Sequence, residues 1–354
     1  TMSTADVNLQ IDCSVWMTNF LKKHRVTNNA NSARFSIWRS WSLFTALAVL
    51  SACSQHEGPQ STTYTIATGG TAGLYYPIGG AMASVWSRHL ANVNAKAEVT
   101  GGSVINVIQV SRHESELGFS MADVVNDAYL GEGKFPAPLP VRVLLPVYPN
   151  VVHIVSIEGS GISLFSDLRG KRVSLGSAGS GTANTAENML STLGLQLDDI
   201  GANYLSFGET VSALKDGAID AGFIVGGLGI AAVTELAASR ELKLIELTPN
   251  ELGQLKSNKP AYSSAAIPAG TYGVKQGELQ ALAIWNVLVV HQDMPEQRAY
   301  DLACTLIAQH HELLKISPVA KSLNLDNLNA EPTARLHAAS LRLRSEATPC
   351  AGLL

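Results

Sequence analysis

One supersecondary pattern occurs twice in this sequence, and it restricts the possible folds more than any other feature. The first copy predicts a strand, a glycine-rich turn, a helix and a second strand at residues 64–67, 68–76, 78–90 and 97–100. The second copy predicts the same elements at residues 172–175, 176–182, 183–193 and 203–206. In each copy a further helix follows the second strand. Two copies of one order predict two similar α/β lobes.

Each copy passes from a strand through glycines into a helix. The first turn reads Thr68-Gly-Gly-Thr-Ala-Gly-Leu-Tyr-Tyr76, and Pro77 suits a first helical turn. The start of a helix has unpaired N–H groups and a positive dipole end, which together favour anions. In open α/β sheets, ligands lie beyond the carboxyl ends of the strands. The turns therefore predict an anion site, unless the glycines serve only to let the chain turn tightly.

Apolar segments connect the two predicted lobes. Residues 141–148 and 151–157 are rich in β-forming residues, with Pro149-Asn150 as a predicted turn between them. Residues 279–290 predict a strand that re-enters the first lobe, and the chain is predicted to be helical from Glu296 to about residue 345. The chain is thus predicted to cross between the lobes at least twice, and a double crossing predicts a hinge. The predicted organisation is lobe 1 at 64–156 and 262–345, lobe 2 at 157–261, and a tail at 346–354.

The first 53 residues have the layout of an export signal. Basic residues precede the apolar run 41–50, which is shorter than the roughly 20 residues of a membrane-spanning helix. Leu50-Ser-Ala-Cys53 resembles the lipobox of bacterial lipoproteins, in which the cysteine is acylated. We expect residues 1–33 to be absent from the mature protein, 34–53 to be the signal with lipidation at Cys53, and 54–63 to be a tether. The alternatives are a plain membrane anchor and a cleaved soluble signal. The expected location is the periplasm, anchored to a bacterial membrane.

Charge and cysteine content exclude several classes of function. Residues 1–53 contain five of the 25 basic and two of the 29 acidic residues, so the remainder carries a net charge of -7. Nucleic acid is therefore not an expected partner. Cys304 and Cys350 remain, and they either form a disulfide or, in the case of Cys304, fill a buried position. The histidines and cysteines lack metal-ligand spacing, and no cofactor is expected.

Five segments in order resemble the solute-receptor subunits of TRAP transporters, specifically the TAXI class. They are residues 68–77, 100–106, 165–174, 179–182 and 219–223. The similarity covers about residues 62–345 and departs from the family pattern at Ala72, Leu74 and Ile105. It implies a type II periplasmic binding-protein fold without enzymatic activity. It also implies capture of a dicarboxylate, 2-oxo acid or acidic amino acid, and delivery to the membrane permease subunits of a sodium-driven TRAP transporter.

The expected site residues follow from the turns and from this resemblance. A ligand carboxylate is expected at Gly69, Gly70, Thr71, Ser103 and Asn106 of lobe 1 and at Ser180, Gly181 and Thr182 of lobe 2. The expected hydroxyl donor and walls are Tyr75, Tyr76, Phe223 and Gly226. Asp123 either binds a ligand ammonium group or caps a helix. Capping is also the alternative role for Ser103, Asn106, Ser180 and Thr182.

Two other functions remain open at this point. Gly227-Leu-Gly-Ile-Ala-Ala232 fits Gly-x-Gly-x-x-Ala between a strand and a helix, and Glu246 ends the next predicted strand. That pattern is typical of a dinucleotide-binding enzyme, although tight packing also explains the glycines. The other alternative is a scaffold lipoprotein that keeps the fold and binds no solute.

Overall fold

A ten-stranded mixed sheet runs through the part of the chain that the structure, a computed structural model, describes: residues 61–329 and 335–351. The predicted lipidation site Cys53, the signal segment and residues 54–60 of the predicted tether lie outside this part. The strands are β1 Thr62–Ala67, β2 Val93–Glu98, β3 Leu117–Met121, β4 Val141–Ile157, β5 Arg172–Ser174, β6 Gly201–Asn203, β7 Ala221–Gly226, β8 Leu242–Leu244, β9 Tyr262–Ile267 and β10 Leu279–His291.

Helices cover the sheet and connect its parallel strands. The α-helices are α1 Tyr75–His89, α2 Ser103–Ser111, α3 Ala122–Leu130, α4 Gly181–Thr192, α5 Phe207–Lys215, α6 Ala231–Ser239, α7 Pro249–Asn258, α8 Glu296–Ala308, α9 His310–Leu314 and α10 Ala338–Ser345. None of these helices is both long and apolar enough to cross a membrane.

The strand order is the same in the two halves of the sheet. The first half runs β2-β1-β3-β10-β4, where β10 is antiparallel to both of its neighbours. The second half runs β6-β5-β7-β4-β8, where β4 is antiparallel to β7 and β8. Each half is thus a parallel sheet with one antiparallel strand supplied by a crossing segment. This arrangement confirms the predicted α/β fold with two lobes of type II topology.

The two lobes share β4 and β10. The first part of β4 pairs with the end of β10, whereas residues from Val151 onward pair with β7 and β8. A register irregularity in the β4–β10 ladder falls between Asn286 and Val287, where the strands pass from one lobe to the other. The predicted turn at Pro149-Asn150 is wrong, because both residues lie inside the continuous strand β4. Pro149 is exposed and precedes Val151, where the pairing of β4 with β7 begins, so its missing N–H donor is tolerated.

The last third of the described chain differs from the prediction in two ways. Strand β9 pairs with the first half of β10, and Ile267 and Leu279 share a hydrophobic core with Leu242 and Leu244 of the second lobe. Strand β9 and the first half of β10 therefore pack with lobe 2, so the predicted lobe boundary at residue 262 is wrong for these residues. The long predicted helix is divided into α8, α9, short 3-10 turns and α10, with one of the turns beginning at Pro318. Proline cannot continue a helix because its ring removes an N–H donor.

Buried aromatic and aliphatic side chains fix the helices of lobe 1 to the sheet. Trp86 of α1 is fully buried, and its indole N–H donates a hydrogen bond to the carbonyl oxygen of Leu302 on α8 at 2.9 Å. A disulfide joins Cys304 of the same helix to Cys350, 46 residues further along the chain. Both half-cystines are buried. The segment after α10 is therefore fixed to the core of lobe 1 by a covalent bond.

Candidate ligand-binding site

A cavity of about 380 Å³ lies between the two lobes, at the carboxyl ends of the parallel strands. Lobe 1 contributes residues 69–75, the start of α2 and Met121. Lobe 2 contributes the turn before α4, the start of α5 and the segment that follows β7. The shared strand β4 contributes Tyr148 and Asn150. The cavity therefore has walls from both lobes and a floor at their junction.

Four helices begin at the cavity wall, namely α1 and α2 of lobe 1 and α4 and α5 of lobe 2. Their caps show why helices start here. The hydroxyl oxygen of Ser180 accepts the N–H of Ala183 at 3.1 Å, and that of Ser206 accepts the N–H of Glu209 at 3.3 Å. Such side chains satisfy one of the first N–H groups and leave others free for a ligand. The positive ends of four helix dipoles thus converge on one small space.

The lining of the cavity carries no formal charge of its own. Within residues 61–329 and 335–351 it includes no aspartate, glutamate, lysine, arginine or histidine, and much of it is apolar, with Val99, Met121, Val225 and Ile230 in the walls. An anion in this space would be stabilised by neutral donors, namely N–H groups and hydroxyl groups, and by helix dipoles. The apolar walls suit a carbon skeleton.

The two lobes touch each other around the cavity. The N–H groups of Val104 and Ile105, in the first turn of α2, donate to the carbonyl oxygen of Gly179 at 3.1 and 3.4 Å. A Cβ atom built on Gly102 would lie 3.3 Å from the Cα of Ser180, so the backbones are in close contact. The structure therefore has the cleft closed. Because Gly179 occupies two N–H groups of α2, this helix has fewer donors free for an anion than α4 has.

Tyr75 and Asn150, at the polar floor of the cavity, both bond to Asn286, a buried residue of β10 that lies behind the lining. The hydroxyl of Tyr75 donates to Oδ1 of Asn286, and Nδ2 of Asn150 donates to the same oxygen at 2.9 Å. The hydroxyl groups of Tyr75 and Ser103 are 3.4 Å apart. Burial raises the pKa of Tyr75 far above its ordinary value, so this side chain stays a neutral hydroxyl.

The structure brings nine of the thirteen expected ligand-binding residues together around the cavity. They are Gly69, Gly70, Thr71, Tyr75, Ser103, Ser180, Gly181, Thr182 and Gly226. Of the capping alternatives, Ser180 does cap α4, whereas the hydroxyl oxygen of Ser103 accepts the N–H of Met121 at 3.2 Å. Tyr76, Asn106, Asp123 and Phe223 are not part of the lining.

Three of the four residues outside the lining, Asn106, Phe223 and Tyr76, either stabilise the fold or lie too far from the cavity. Asn106 is buried, and its Nδ2 donates to the carbonyl oxygens of Thr68 and Phe119, so it holds the first glycine turn against β3. Phe223 lies two positions before the lining residue Val225 on β7, deeper in the core, where its ring packs edge-on to that of Phe165. Tyr76 is 39 % exposed and points away from the cavity lining.

Asp123 connects the lobes behind the cavity. Its Oδ2 accepts hydrogen bonds from Tyr262, Thr185 and Asn184 at 3.2, 3.3 and 3.4 Å, while Oδ1 has no partner within the described part of the chain. The N-cap of α3 is Met121, so Asp123 is not a capping residue. Burial, and secondarily the charge of Asp127, raise the pKa of Asp123 to about 6.

We expect Asp123→Asn to stabilise the protein at neutral pH and to remove a pH dependence. The pKa of Asp123 in the folded protein lies above its ordinary value of 3.8, so stability rises as this group becomes protonated between about pH 7 and pH 4. The asparagine variant should gain roughly 1 to 3 kcal/mol at pH 7.5, discounted for the nearby Lys259 charge. Denaturant unfolding at pH 7.5 and pH 5 measures both effects. Asp198→Asn, on an exposed turn, is the matched control, and an equal gain from the control would exclude this explanation.

Several lining residues are missing from the expected set, although Ser206-Phe-Gly-Glu209 fits the capping-box pattern that marks a helix start. Tyr148, Asn150, Ser206 and Phe207 all lie at the cavity. The available signal for Asn150 was a polar residue in an otherwise apolar strand, but the adjacent proline made the pair resemble a turn. Phe207 and Ser206 open α5 in the second copy of the repeat, at the position that Ser103 and Gly102 occupy in the first.

The glycines that resemble a dinucleotide fingerprint are in contact with other parts of the protein. A Cβ atom on Gly227 would lie 2.8 Å from Cγ1 of Val319, and the N–H of Gly229 donates to the hydroxyl of Tyr272 at 2.9 Å. The carboxylate of Glu246 accepts the N–H of Gln280 at 3.0 Å. Close approach of the lobes thus explains Gly227 without a nucleotide.

Comparison with known proteins gives one family match and several similar structures. A protein from Bordetella bronchiseptica RB50 is 17 % identical, with a TM-score of 0.49, over 74 % of this chain and 77 % of that one. MatC from Rhodopseudomonas palustris with bound malate is 11 % identical (TM-score 0.47; 74 % and 87 % covered). The periplasmic aliphatic sulphonate-binding protein SsuA from Escherichia coli is 15 % identical (TM-score 0.41; 80 % and 84 % covered). The model of the NMT1-like family matches residues 66–347, so the chain belongs to this family, which is of the periplasmic solute-binding type.

Proposed function

We propose that this protein is an extracytoplasmic solute receptor that closes its two lobes on a small organic acid. One observation carries the proposal: four helix starts, two from each lobe, surround a cavity between the lobes, and none of the described residues that line it is charged. An anion bound there would contact N–H donors from both lobes. Ligand binding would therefore favour the closed arrangement over the open one.

Helix dipoles and neutral N–H donors favour a carboxylate as the ligand. Each helix dipole stabilises a nearby anion by about 0.3 to 1 kcal/mol, and by up to about 2 kcal/mol when partly buried. Hydrogen bonds from N–H groups to an ionised oxygen are shorter and stronger than neutral ones. Neutral donors also avoid burying a fixed cation that would be left uncompensated when the ligand departs. The site can therefore hold an acid in a closed cleft and still release it.

The size of the cavity limits the ligand. A volume of about 380 Å³ lies near the lower end of the usual range for small-molecule sites. The expected ligands, a dicarboxylate, a 2-oxo acid or an acidic amino acid, all fit this size. A dinucleotide is too large to be enclosed in it, which favours a receptor over the dinucleotide-binding enzyme.

The proposed partner is the membrane permease of a sodium-driven TRAP transporter, and the proposed attachment is a lipid on Cys53. Support for the partner comes from the five sequence segments that resemble TAXI-class receptors, three of which, including Gly179 to Thr182, contain residues of the cavity lining. Uptake by proteoliposomes containing the permease and this protein should require a sodium gradient and not ATP. Uptake that depends on ATP would contradict this partner.

A thermal-shift panel tests the receptor function itself. The mature protein is heated with carboxylates of each expected class, with NAD and with no addition. A ligand that binds only the folded state raises the melting temperature by mass action. We expect a saturable rise with at least one carboxylate. A response to NAD alone would support the enzyme, and no response to any compound would support the scaffold.

Thr182→Val should weaken carboxylate binding by roughly 1 to 3 kcal/mol. Thr182 is buried in the first turn of α4 and lines the cavity, so valine keeps its shape and removes the hydroxyl donor from a charged acceptor. Isothermal titration with the acid identified by the panel measures the change. Thr234→Val, at an exposed position of α6, is the control and should leave the affinity unchanged. An unchanged affinity for the Thr182 variant would remove this hydroxyl from the site.

A further inference from the structure

Hydrogen bonds at the cavity floor determine how the side chains of Asn150 and Asn286 are oriented. Nδ2 of Asn286 donates to the backbone carbonyl oxygen of Tyr148 at 3.2 Å. A carbonyl oxygen can only accept, so the amide nitrogen of Asn286 must lie on that side. Its Oδ1 therefore faces the other way and accepts from both Tyr75 and Asn150. The backbone thus sets the orientation of Asn286.

The orientation of Asn286 fixes that of Asn150. Because Asn286 presents an oxygen, Asn150 must present its Nδ2 to it, and its Oδ1 is left on the opposite side. Asn150 is only 2 % exposed and belongs to the cavity lining, and its Oδ1 accepts no hydrogen bond within the described part of the chain. A buried acceptor without a donor is costly, and natural proteins seldom leave one unsatisfied without a reason.

The remaining chemistry of the cavity specifies which donor could satisfy this oxygen. The lining holds no carboxylate that would compensate a ligand ammonium group, and burying an unpaired cation costs far more than burying a hydroxyl. A second ligand carboxylate would have to share the helix starts with the first, because the described lining residues include no lysine, arginine or histidine to compensate it. A second carboxylate and a 2-oxo group are acceptors only, and neither can donate to Asn150.

We infer that Asn150 is a specificity-determining residue that selects a monocarboxylate with a hydroxyl group on an otherwise apolar skeleton. This inference rests on the proposed receptor function and narrows its ligand class. The carboxylate contacts the helix starts, the hydroxyl donates to Oδ1 of Asn150, and the skeleton lies against Met121 and Val225. Analogues that lack the donor leave Asn150 unsatisfied and bind more weakly.

Matched acids on one carbon skeleton test the inference. Isothermal titration compares lactate, pyruvate and propionate, which differ only in a hydroxyl, an oxo group or neither, and malate, which adds a second carboxylate to a hydroxy acid. We expect lactate to bind about tenfold or more tightly than each of the other three. Pyruvate, propionate or malate binding as tightly as lactate would overturn the inference. Binding of none of these acids, nor of any acid in the thermal-shift panel, would instead overturn the receptor function.

A substitution of Asn150 tests whether this residue causes the preference for lactate. Asn150→Leu should remove the preference, so that this variant binds lactate and propionate with equal affinity. Asn94→Leu, on the exposed edge strand β2, is the control and should keep the full preference. A variant at position 150 that still prefers lactate would overturn the assignment. If this variant does not fold, Asn150→Ser keeps a small hydroxyl at the position, and the wild-type series by itself still decides the ligand class.

Discussion

Gly181→Ala should weaken carboxylate binding by roughly 5- to 150-fold while changing the stability of the ligand-free protein much less. Gly181 begins α4 and faces lobe 1 across the closed cleft. A Cβ atom there would lie 2.6 Å from the hydroxyl oxygen of Ser103 and 2.8 Å from the sulfur of Met121. Overpacking of this kind costs about 1 to 3 kcal/mol, and every 1.4 kcal/mol changes an affinity tenfold.

The cost of this substitution falls on the closed state, because both clashing side chains belong to the opposite lobe. An open cleft relieves the clash, so the unliganded protein can avoid it, whereas the liganded protein cannot. Isothermal titration and thermal melting of the same samples separate the two effects. Gly253→Ala is the control, since a Cβ atom at that helical position of lobe 2 meets no atom within 4 Å. Normal affinity in the Gly181 variant would show that ligand binding does not need this closed arrangement.

Reduction of the disulfide between Cys304 and Cys350 should lower the melting temperature by roughly 8 to 15 °C. The bond closes a segment of 46 residues, which corresponds to about 4 kcal/mol of stabilisation in the chain-entropy model. In a domain of this size each kcal/mol shifts the melting temperature by about 2 to 4 °C. Both sulfur atoms belong to buried residues, so reduction should be checked by thiol titration under partly denaturing conditions.

The double variant Cys304→Ala/Cys350→Ala is the control for reduction. It should melt at a temperature close to that of the reduced wild type, with an added loss from the missing sulfur atoms. Its melting temperature should not respond to the reducing agent. A wild-type protein that is fully reduced and melts unchanged would show that the bond contributes little to stability.

The fold could be predicted from sequence because its main determinant is a repeat. Alternation of apolar residues, glycine turns and helical spacing are local signals, and two copies in the same order imply two lobes. The boundary near residue 262 could not be predicted in this way. Whether β9 packs with one lobe or the other depends on its pairing with β10, which is distant in sequence and leaves no local pattern.

The sequence predicts those residues of the candidate site that lie at the start of a helix. Helix starts that follow glycines are visible in sequence, which accounts for residues such as Gly69, Ser180 and Thr182. Asn106 lay in the correct segment, but a buried amide near a site can serve the backbone instead of the ligand. Phe223 was two residues too deep along β7, because sequence shows a strand without showing where it meets the cavity.

Leu74 illustrates a contact that only the folded chain reveals. An apolar residue at this position was unexpected beside a polar turn. In the structure, its Cδ1 would lie 3.2 Å from a Cβ atom built on Gly227, so this leucine packs against the backbone of the other lobe. Asn150 is the corresponding case for a polar residue, since its partner Asn286 is 136 residues away. Contacts between lobes depend on three-dimensional closure, which no local pattern encodes.

The central claim is that helix starts from two lobes bind a carboxylate in a closed cleft, and one titration tests it most directly. The tightest-binding acid of the thermal-shift panel and its primary amide, which has the same shape without the charge, are titrated into the mature protein by calorimetry. We expect the acid to bind at least 100-fold more tightly than the amide, which corresponds to about 2.7 kcal/mol from charge-assisted hydrogen bonds and helix dipoles. Equal affinities for the acid and its amide would contradict the claim.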